Sequence, residues 1–275
     1  MDDIARIADA LERIARHLGA VPDDRTDAGH GHWFTWSDAG LMPAVPARTA
    51  PLTLYVGVDA QKAALAANMA RHAAALPSHD VLLWGSRGMG KSSLVRAVHA
   101  DLVESGHDTA LVQLAQDDLA GLPLLFKVLG AVNRRFTVFL DDVSLGADDG
   151  QVHALRSLLD GGVSARPDNL RLIVTSNRRN LVPRSMADND ADAINPRDAQ
   201  DDKLALADRF GLRLGFHGCD QTDYLAMCKG YAHAHGLDFD AAAALAFAAG
   251  RGARSGRIAW QFTVEQAGAA GRMLA

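Results

Sequence analysis

Short apolar runs alternate with helical patterns along most of the chain beyond residue 51. The runs predict strands, and the segments between them repeat apolar residues every three or four positions, as helices that pack on one face do. Strands that alternate with helices indicate parallel strands joined by crossover helices, which is an α/β fold. The runs are apolar on both faces, so we expect helices to cover both sides of the sheet. The predicted strands are Val81–Trp84, Ala110–Leu114, Phe136–Leu140, Leu172–Thr175 and Leu212–Phe216.

The pattern changes at both ends of this region. Residues 2–18 repeat apolar residues at helical spacing and are followed by Gly19, which predicts an amphipathic helix. Beyond Phe216 no further strand is predicted, and three helical segments follow, at residues 222–236, 240–250 and 256–270. We therefore divide the chain into an N-terminal amphipathic helix and linker arm at 1–50, an α/β core at 51–217 and a helical lid at 218–275.

An aromatic patch, HWFTW at residues 32–36, lies in the predicted arm. A cluster of large apolar side chains is rarely left in water, so we expect this patch to be covered. Two interpretations are open: the patch anchors the arm to an apolar partner surface, or it packs against the body of the protein itself.

Composition and charge limit the compartments and the partners that are expected for the protein. The 275 residues carry a formal net charge of −5 and two cysteines, so neither a disulfide framework nor a Cys-rich zinc site is expected. The acidic start lacks the basic and apolar blocks of a secretory signal, and no apolar run is long enough to span a membrane. We therefore expect a cytoplasmic protein without membrane association. The mild negative charge, without blocks of Lys and Arg, does not support sequence-independent nucleic-acid binding.

The segment GSRGMGKS, from Gly85 to Ser92, matches the pattern G-x-x-x-x-G-K-[ST] between a predicted strand and a predicted helix. In that context backbone N–H groups turn inward around a phosphate chain, and a Cβ on the glycines would crowd them. The helix start adds its positive dipole end. We expect Lys91 to reach the β- and γ-phosphates of a nucleotide and Ser92 to bind Mg²⁺. The predicted cofactor-binding residues here are Gly85, Ser86, Arg87, Gly88, Met89, Gly90, Lys91, Ser92 and Ser93.

Two carboxylates, Asp141 and Asp142, follow a predicted strand downstream of this loop. We expect Asp141 to hold the metal, directly or through water. Asp142 is then placed to orient or deprotonate an attacking water. Many hydrolases with this loop carry Glu at the second position, so Asp142 is one methylene shorter, which favours slower turnover but leaves binding unaffected.

Three further polar residues are expected to act on the phosphates. Asn177 ends the next strand, where its amide would hold the attacking water. Arg209 comes just before the last strand and would reach only the site of a neighbouring subunit. Arg257 begins the last helix and would touch the same chain's phosphates, with Arg254 as its rival. Structural alternatives remain open: a loop-capping Asn177, a surface salt bridge for Arg209 and a solvated helix end for the other two arginines.

Together these motifs resemble those of AAA+ ATPases, with GSRGMGKS as Walker A, FLDD as Walker B, TSN as sensor 1, DRF as arginine finger and RSGR as sensor 2. The segment LYVGVDAQKAAL resembles the stretch that packs around adenine in that class, which implies base contacts for Val56 and Gly57. From about residue 33 to 265 the chain is similar to an uncharacterised bacterial family of single-module AAA+ ATPases, and more distantly to replication initiators and helicase loaders. The resemblance implies a five-stranded parallel sheet in the order 5-1-4-3-2, a C-terminal lid, and ATP with Mg²⁺ as cofactors.

Two functional classes follow, and the sequence leaves both open. The first is ATP hydrolysis in a nucleotide-dependent homo-oligomer, a ring or filament, that remodels or loads an unknown protein partner. In that case Arg209 completes the neighbour's site. The second is a nucleotide-gated switch with little hydrolysis, which recruits a partner through residues 1–36. A phosphotransferase is a third and weaker interpretation, because no second basic substrate pocket is evident beside the loop.

Two other polar regions are interpreted structurally. Residues 185–204 are rich in aspartate but lack the turn glycine and the bidentate glutamate of a calcium loop, so we predict a flexible loop. The histidine pairs within 29–32 and 233–236 have no third ligand nearby and are interpreted as surface residues.

Overall fold

The computed structural model describes residues 28–46, 48–143, 159, 166–177 and 206–274. The amphipathic helix predicted at 2–18 and the acidic segment at 185–204 lie outside the described residues.

Strands among the described residues form one sheet with the order β2-β1-β4-β5-β6-β3-β7. Strand β2 runs antiparallel to β1, and the other neighbouring pairs are parallel. The strands are β1 (Trp33–Ser37), β2 (Gly40–Pro43), β3 (Val81–Gly85), β4 (Thr109–Leu114), β5 (Arg135–Leu140), β6 (Leu170–Ser176) and β7 (Leu212–Phe216).

The expected count of five parallel strands is wrong for this molecule, since seven strands are described and β2 makes the sheet mixed. The expected order 5-1-4-3-2 holds within it, as β7-β3-β6-β5-β4. The five strands that the sequence predicts are β3 to β7, and they lie side by side within the larger sheet. The additional pair comes from residues 33–43. This pair joins the rest of the sheet through β1, which runs parallel to β4. Trp33 of β1 lies opposite Leu111 of β4, which is distant in sequence.

The described helices cover the sheet and form the lid. Helices α1 to α3 belong to the core, and α4 to α6 follow β7, as predicted for the lid. Side-chain oxygens of Asp220, Asp240 and Ser255 accept hydrogen bonds from backbone N–H groups in the first turns of α4, α5 and α6, which fixes where each lid helix starts. The helices are α1 (Asp59–Ala73), α2 (Lys91–Glu104), α3 (Leu122–Gly130), α4 (Gln221–Ala234), α5 (Ala241–Arg251) and α6 (Gly256–Ala269), with short 3₁₀ turns at Leu52–Leu54 and Gln116–Gly121.

Two hydrophobic clusters occupy the two faces of the sheet, as the apolar runs predict. In β3, Leu82 belongs to one cluster while Val81 and Leu83 belong to the other, and all three are fully buried. Burial of one such side chain contributes about 1.5–3 kcal/mol. Helix α3 packs on the first face, and α1, α2 and the lid pack on the second. Within the described residues, no helix combines the length and the apolar character that crossing a bilayer requires.

The aromatic patch packs against the body of the protein as strand β1. Phe34 and Trp36 are 2% and 5% exposed and join one face of the core. Trp33 lies on the other face, where its ring meets that of His99 on α2 edge to face at 4.6 Å. Residues 33–43, which the sequence places in the N-terminal arm, are therefore strands of the central sheet.

Polar groups fix the start of β1 against α2. The backbone carbonyl of His32 accepts a hydrogen bond from Nε2 of His99 at 2.8 Å, and Arg134 donates to the His32 ring at 3.0 Å. His32 is half-buried, so its interpretation as a surface residue is wrong. These contacts connect β1 to the helix that follows the phosphate-loop motif.

Candidate functional site

A cavity of about 900 Å³ lies at the edge of the sheet where the parallel strands end. Its walls come from the segment that precedes α1, the loop between β3 and α2, the ends of β5 and β6, and the lid helices α4 and α6. In open α/β sheets, ligands bind at this edge because the strand-to-helix loops converge there. The cavity therefore lies where the sequence places its phosphate-binding motif.

The loop between β3 and α2 depends on glycine at two close approaches. Gly85 has φ +115°, and a Cβ there would lie 2.2 Å from the carbonyl oxygen of Phe216 in β7. The next residue, Ser86, donates its N–H to that same carbonyl at 2.7 Å. Gly88 has φ +75°, and a Cβ there would lie 2.8 Å from Oγ of Ser255 at the start of α6. One end of the loop is thus fixed to the sheet and its middle lies against the lid.

Lys91 is the first residue of α2, and its side chain reaches back into this loop, where it is almost completely buried. Its Nζ donates hydrogen bonds of 2.9 Å to the carbonyl oxygens of Gly85 and Ser86 and to Oδ1 of Asn177. Burial lowers the pKa of Lys91 to about 8, although the nearby carboxylates of Asp142 and Asp141 act in the opposite direction. The site thus holds a poorly solvated ammonium group that an anion would stabilise.

Asp141 follows β5 and receives hydrogen bonds from three side chains. Its Oδ1 accepts from the Ser92 hydroxyl and, at 2.7 Å, from the hydroxyl of Thr175 in β6. Its Oδ2 accepts from Nη2 of Arg96 at 3.1 Å. The structure therefore brings together the two residues that the sequence predicts as metal ligands, Ser92 and Asp141.

Asp142 and Asn177 also meet. The backbone N–H of Asp142 donates to Oγ1 of Thr175 at 2.8 Å, and its carboxylate accepts from Nδ2 of Asn177. Because Asn177 Oδ1 accepts from Lys91, the Asn177 side chain bridges the buried ammonium and the exposed carboxylate. Asp142 has φ 57°, a left-handed conformation that is uncommon for residues other than glycine.

The donor set fits a magnesium ion bound together with a phosphate. Ser92 and Asp141 offer oxygen atoms, which Mg²⁺ prefers, and Mg²⁺ is usually held by one or two carboxylates plus substrate phosphates. No group of three or more His, Cys, Asp or Glu side chains that could hold a metal occurs among the described residues. The described residues therefore offer Mg²⁺ a carboxylate and a hydroxyl oxygen, and leave its remaining ligands to water and to the phosphates of a nucleotide.

Part of the cavity lining is apolar and aromatic. Val56 lines it, as the resemblance implies, whereas Gly57 approaches the carboxylate of Asp223 on α4 and is not among the lining residues. Tyr231 and Trp260 from the lid line the cavity with ring centroids 5.5 Å apart. Such a wall suits the flat face of a nucleobase.

The cavity is also lined by side chains that the sequence analysis assigns differently or does not single out. His235 is half-buried and lines the cavity, so its interpretation as a surface residue is wrong. Tyr231 and Trp260 give no motif signal, because single aromatic residues on helices are more often core residues. Arg96 also lines the cavity, and its one available signal is its position one helical turn after Ser92.

The arginines predicted to act on phosphates take different positions. Arg257 lines the cavity, and its backbone N–H donates to the carbonyl of Gly88 at 3.0 Å. Arg254 is exposed and donates to Gln221 at 3.3 Å. Arg209 lies just before β7, at the opposite edge of the sheet, beside a second cavity of about 410 Å³ that Arg166 and Arg171 also line. Of the three predicted arginines, the structure brings Arg257 to the nucleotide-sized cavity.

The fold is similar to solved AAA+ proteins. RuvB of Thermotoga maritima, described as a Holliday junction branch migration motor, matches with a TM-score of 0.52 at 19% identity, over 82% of this chain and 67% of that one. ORC1 of Aeropyrum pernix, solved in complex with DNA, matches with a TM-score of 0.56 at 16% identity, over 82% of this chain and 65% of that one. At such identities the similarity establishes the fold, which is the α/β P-loop fold of the AAA+ class.

Among curated proteins, no significant match was found. A family model described as protein of unknown function (DUF815) matches residues 29–270. That range includes the whole sheet, the phosphate loop and the lid. The chain belongs to the DUF815 family.

Proposed function

We propose that this protein binds ATP with Mg²⁺ in the 900 Å³ cavity and hydrolyses it to ADP and phosphate. The observation that supports this best is the convergence of Lys91, Ser92, Asp141 and Asn177 at the ends of adjacent parallel strands. The AAA+ fold supports the same general type of activity.

Each group has a role that follows from its chemistry. Lys91 exchanges the carbonyls of its own loop for the β- and γ-phosphate oxygens, which neutralise its charge in a poorly solvated site. Ser92 and Asp141 hold Mg²⁺, which supplies charge neutralisation on the phosphate oxygens. Asp142 accepts a proton from the attacking water, and the amide of Asn177 orients that water. Tyr231 and Trp260 contact the base.

The pairing of Asp142 with Asn177 favours a second candidate, a nucleotide-gated switch with slow turnover. The Asp142 carboxylate accepts a hydrogen bond from Asn177, and that bond must be exchanged before the same oxygen can accept a proton from water. Asp142 is also one methylene shorter than Glu, so its oxygen lies farther from a water at the phosphate. Both features lower the expected rate of hydrolysis and leave binding intact.

Binding of a fluorescent ATP analogue and release of phosphate test the proposal. The wild-type protein should bind with Mg²⁺ and release phosphate. Lys91→Ala should lower affinity at least about tenfold, since a buried charge-assisted hydrogen bond contributes about 1.5–3 kcal/mol. Lys229→Ala, which removes an exposed lysine on α4, is the matched control and should bind normally. Equal binding by both variants would refute the site, and tight wild-type binding without phosphate release would favour the switch.

Assembly into a homo-oligomer is the further part of this proposal. Arg209 lies at the sheet edge opposite the nucleotide cavity, so a role in catalysis requires a neighbouring copy whose cavity faces it. The work done by such an assembly is remodelling or loading of a protein partner. DNA binding by the two structural neighbours is not transferred to this chain, because its net charge of −5 does not support sequence-independent nucleic-acid binding.

A further inference from the structure

Arg96 lies beside the residues proposed to hold Mg²⁺. It follows Ser92 by one turn of α2, so both side chains project from the same face of that helix. Its Nη2 donates to Oδ2 of Asp141 at 3.1 Å. The side chains of Arg96 and Asp141 are 23% and 26% exposed, so bulk water screens this ion pair only in part.

The guanidinium is held in this position from two other sides. Its Cζ lies over the ring of Phe139 in β5, 5.5 Å from the centroid, and Nη2 also contacts Oε1 of Gln113 in β4 at 3.3 Å. Phe139 is fully buried. The charge of Arg96 is therefore fixed next to Asp141 by the core and is not a mobile surface charge.

The two oxygens of Asp141 have different partners. Oδ1 accepts from the hydroxyls of Ser92 and Thr175, and Oδ2 accepts from Arg96. The negative charge that would attract a divalent cation is therefore already partly compensated by a fixed positive charge.

We propose that Arg96 competes with Mg²⁺ for Asp141 and thereby raises the Mg²⁺ concentration that half-maximal nucleotide binding requires. This inference rests on the proposed nucleotide function. Two cations near one carboxylate repel each other, so removal of the Arg96 charge strengthens Mg²⁺ binding. If Arg96 only oriented the Asp141 carboxylate, the opposite change would follow, because loss of the contact would let the carboxylate rotate and would weaken Mg²⁺ binding.

The test uses Arg96→Gln, which keeps an amide donor but removes the charge, and Arg96→Lys, which keeps the charge. Affinity for a fluorescent ATP analogue is measured in EDTA and over a Mg²⁺ titration. Arg96→Gln should lower the half-maximal Mg²⁺ concentration at least about threefold, while Arg96→Lys stays near wild type. Arg135→Gln, at the other end of the strand that precedes Asp141, is the control and should not change it. An unchanged or raised Mg²⁺ midpoint in Arg96→Gln would overturn the proposal.

A replacement variant and a second measurement cover the cases in which Arg96→Gln does not fold or the protein binds no nucleotide. If Arg96→Gln does not fold, Arg96→Met replaces it, since its unbranched side chain can still pack on Phe139. If wild-type protein binds no nucleotide, the proposed function fails. The Arg96 proposal is then decided by Mn²⁺ binding to the protein alone, followed by electron paramagnetic resonance. Tighter Mn²⁺ binding by the neutral variant than by wild type and Arg96→Lys would support it, and equal binding would refute it.

Discussion

Asp142 adopts φ 57°, in the left-handed region, at a cost of about 1–2 kcal/mol for a residue with a Cβ. Two contacts hold it there: its backbone N–H donates to Thr175, and its carboxylate accepts from Asn177. Strained residues of this kind occur at functional sites, where the surroundings fix a side chain in a position that the chain alone would not choose. The conformation directs an exposed carboxylate to the edge of the cavity.

We predict that Asp142→Asn retains ATP binding and loses phosphate release by at least about 10²-fold, because the amide cannot accept a proton. Binding of the fluorescent analogue and a phosphate-release assay measure the two quantities separately. A variant that hydrolyses ATP at the wild-type rate would show that Asp142 is not the base. Asp238→Asn, in the loop between α4 and α5, is the control and should leave both quantities unchanged.

A second residue-scale prediction concerns acid stability. Burial lowers the pKa of both His99 and His72 to about 4, and each ring donates to a backbone carbonyl, of His32 and Phe136 respectively. The unfolded chain binds these protons near pH 6.5, so it binds more protons than the folded state between pH 6.5 and 4. The free energy of unfolding therefore falls as pH decreases through that window, by roughly 1–2 kcal/mol per histidine at pH 5.

Urea unfolding at pH 7.5 and pH 5 checks this expectation. His99→Gln, which keeps an N–H donor without a titrating ring, should lose about 1–2 kcal/mol less than wild type between the two pH values. His233→Gln, which changes an exposed histidine on α4, should behave as wild type. The prediction for His99 is wrong if the two variants show the same pH dependence.

Sequence and structure agree best where a residue acts through its local motif. The adjacency of Ser92 and Asp141 follows from a loop pattern and from a carboxylate after a strand, both of which are readable in the chain. Trp260 is not predictable in this way, and Arg96 offers only its spacing from Ser92, because the positions of both side chains depend on tertiary contacts. Arg257 is intermediate: its place at the cavity is predictable, but its main-chain contact to Gly88 is not.

At the scale of elements, the junction between β3 and the phosphate loop tolerates only glycine at position 85. We predict that Gly85→Ala destabilises the protein by more than about 3 kcal/mol, since the new Cβ would lie 2.2 Å from a backbone oxygen of β7 and the two strands must separate. Gly106→Ala provides the matched control. Its φ of +85° imposes a similar strain, but nothing lies within 4 Å.

Chemical denaturation of both variants separates the two effects. Gly106→Ala should cost only the strain of about 1–2 kcal/mol. A similar cost for the two substitutions would mean that the contact with Phe216 relaxes easily and does not fix the loop.

The elements that the sequence predicts are those with a complete local signal. Strands β3 to β7 are each an apolar run, and their ends fall within two residues of the predicted ones. Strand β1 is missed because its parallel partner β4 lies 78 residues further along the chain, and a pairing over that distance leaves no local sequence pattern. Helix α1 ends at Ala73, Ala75 adopts φ 60° two residues later, and Leu76 is left exposed.

At the scale of the whole molecule, the nucleotide cavity and Arg209 lie at opposite edges of one sheet. A catalytic Arg209 therefore requires two copies, and we predict that specific ATPase activity rises with protein concentration. Arg209→Ala should remove this rise, because an arginine supplied by a neighbour contributes about 10³–10⁵ in rate. ATPase rates over a range of concentrations, with light scattering to measure assembly, provide the test. Arg213→Ala, which removes an exposed arginine nearby in β7, is the control.

An activity that is independent of concentration and unaffected in Arg209→Ala would exclude action between subunits. It would leave ATP binding by a single copy untouched, because the cavity is built from one chain.

The hydrogen bond from Arg257 N–H to the Gly88 carbonyl joins the main chain of α6 to the main chain of the phosphate loop. Proline at 257 would remove the donor, but other changes of the Arg257 side chain leave both bonded atoms in place. Entry of a ligand that reshapes residues 86–90 must therefore either carry the first turn of α6 along or break the bond. If the cavity binds nucleotide as proposed, we therefore expect the position of α6 to differ between the filled and the empty cavity, so that a partner in contact with α6 alone would respond to the nucleotide.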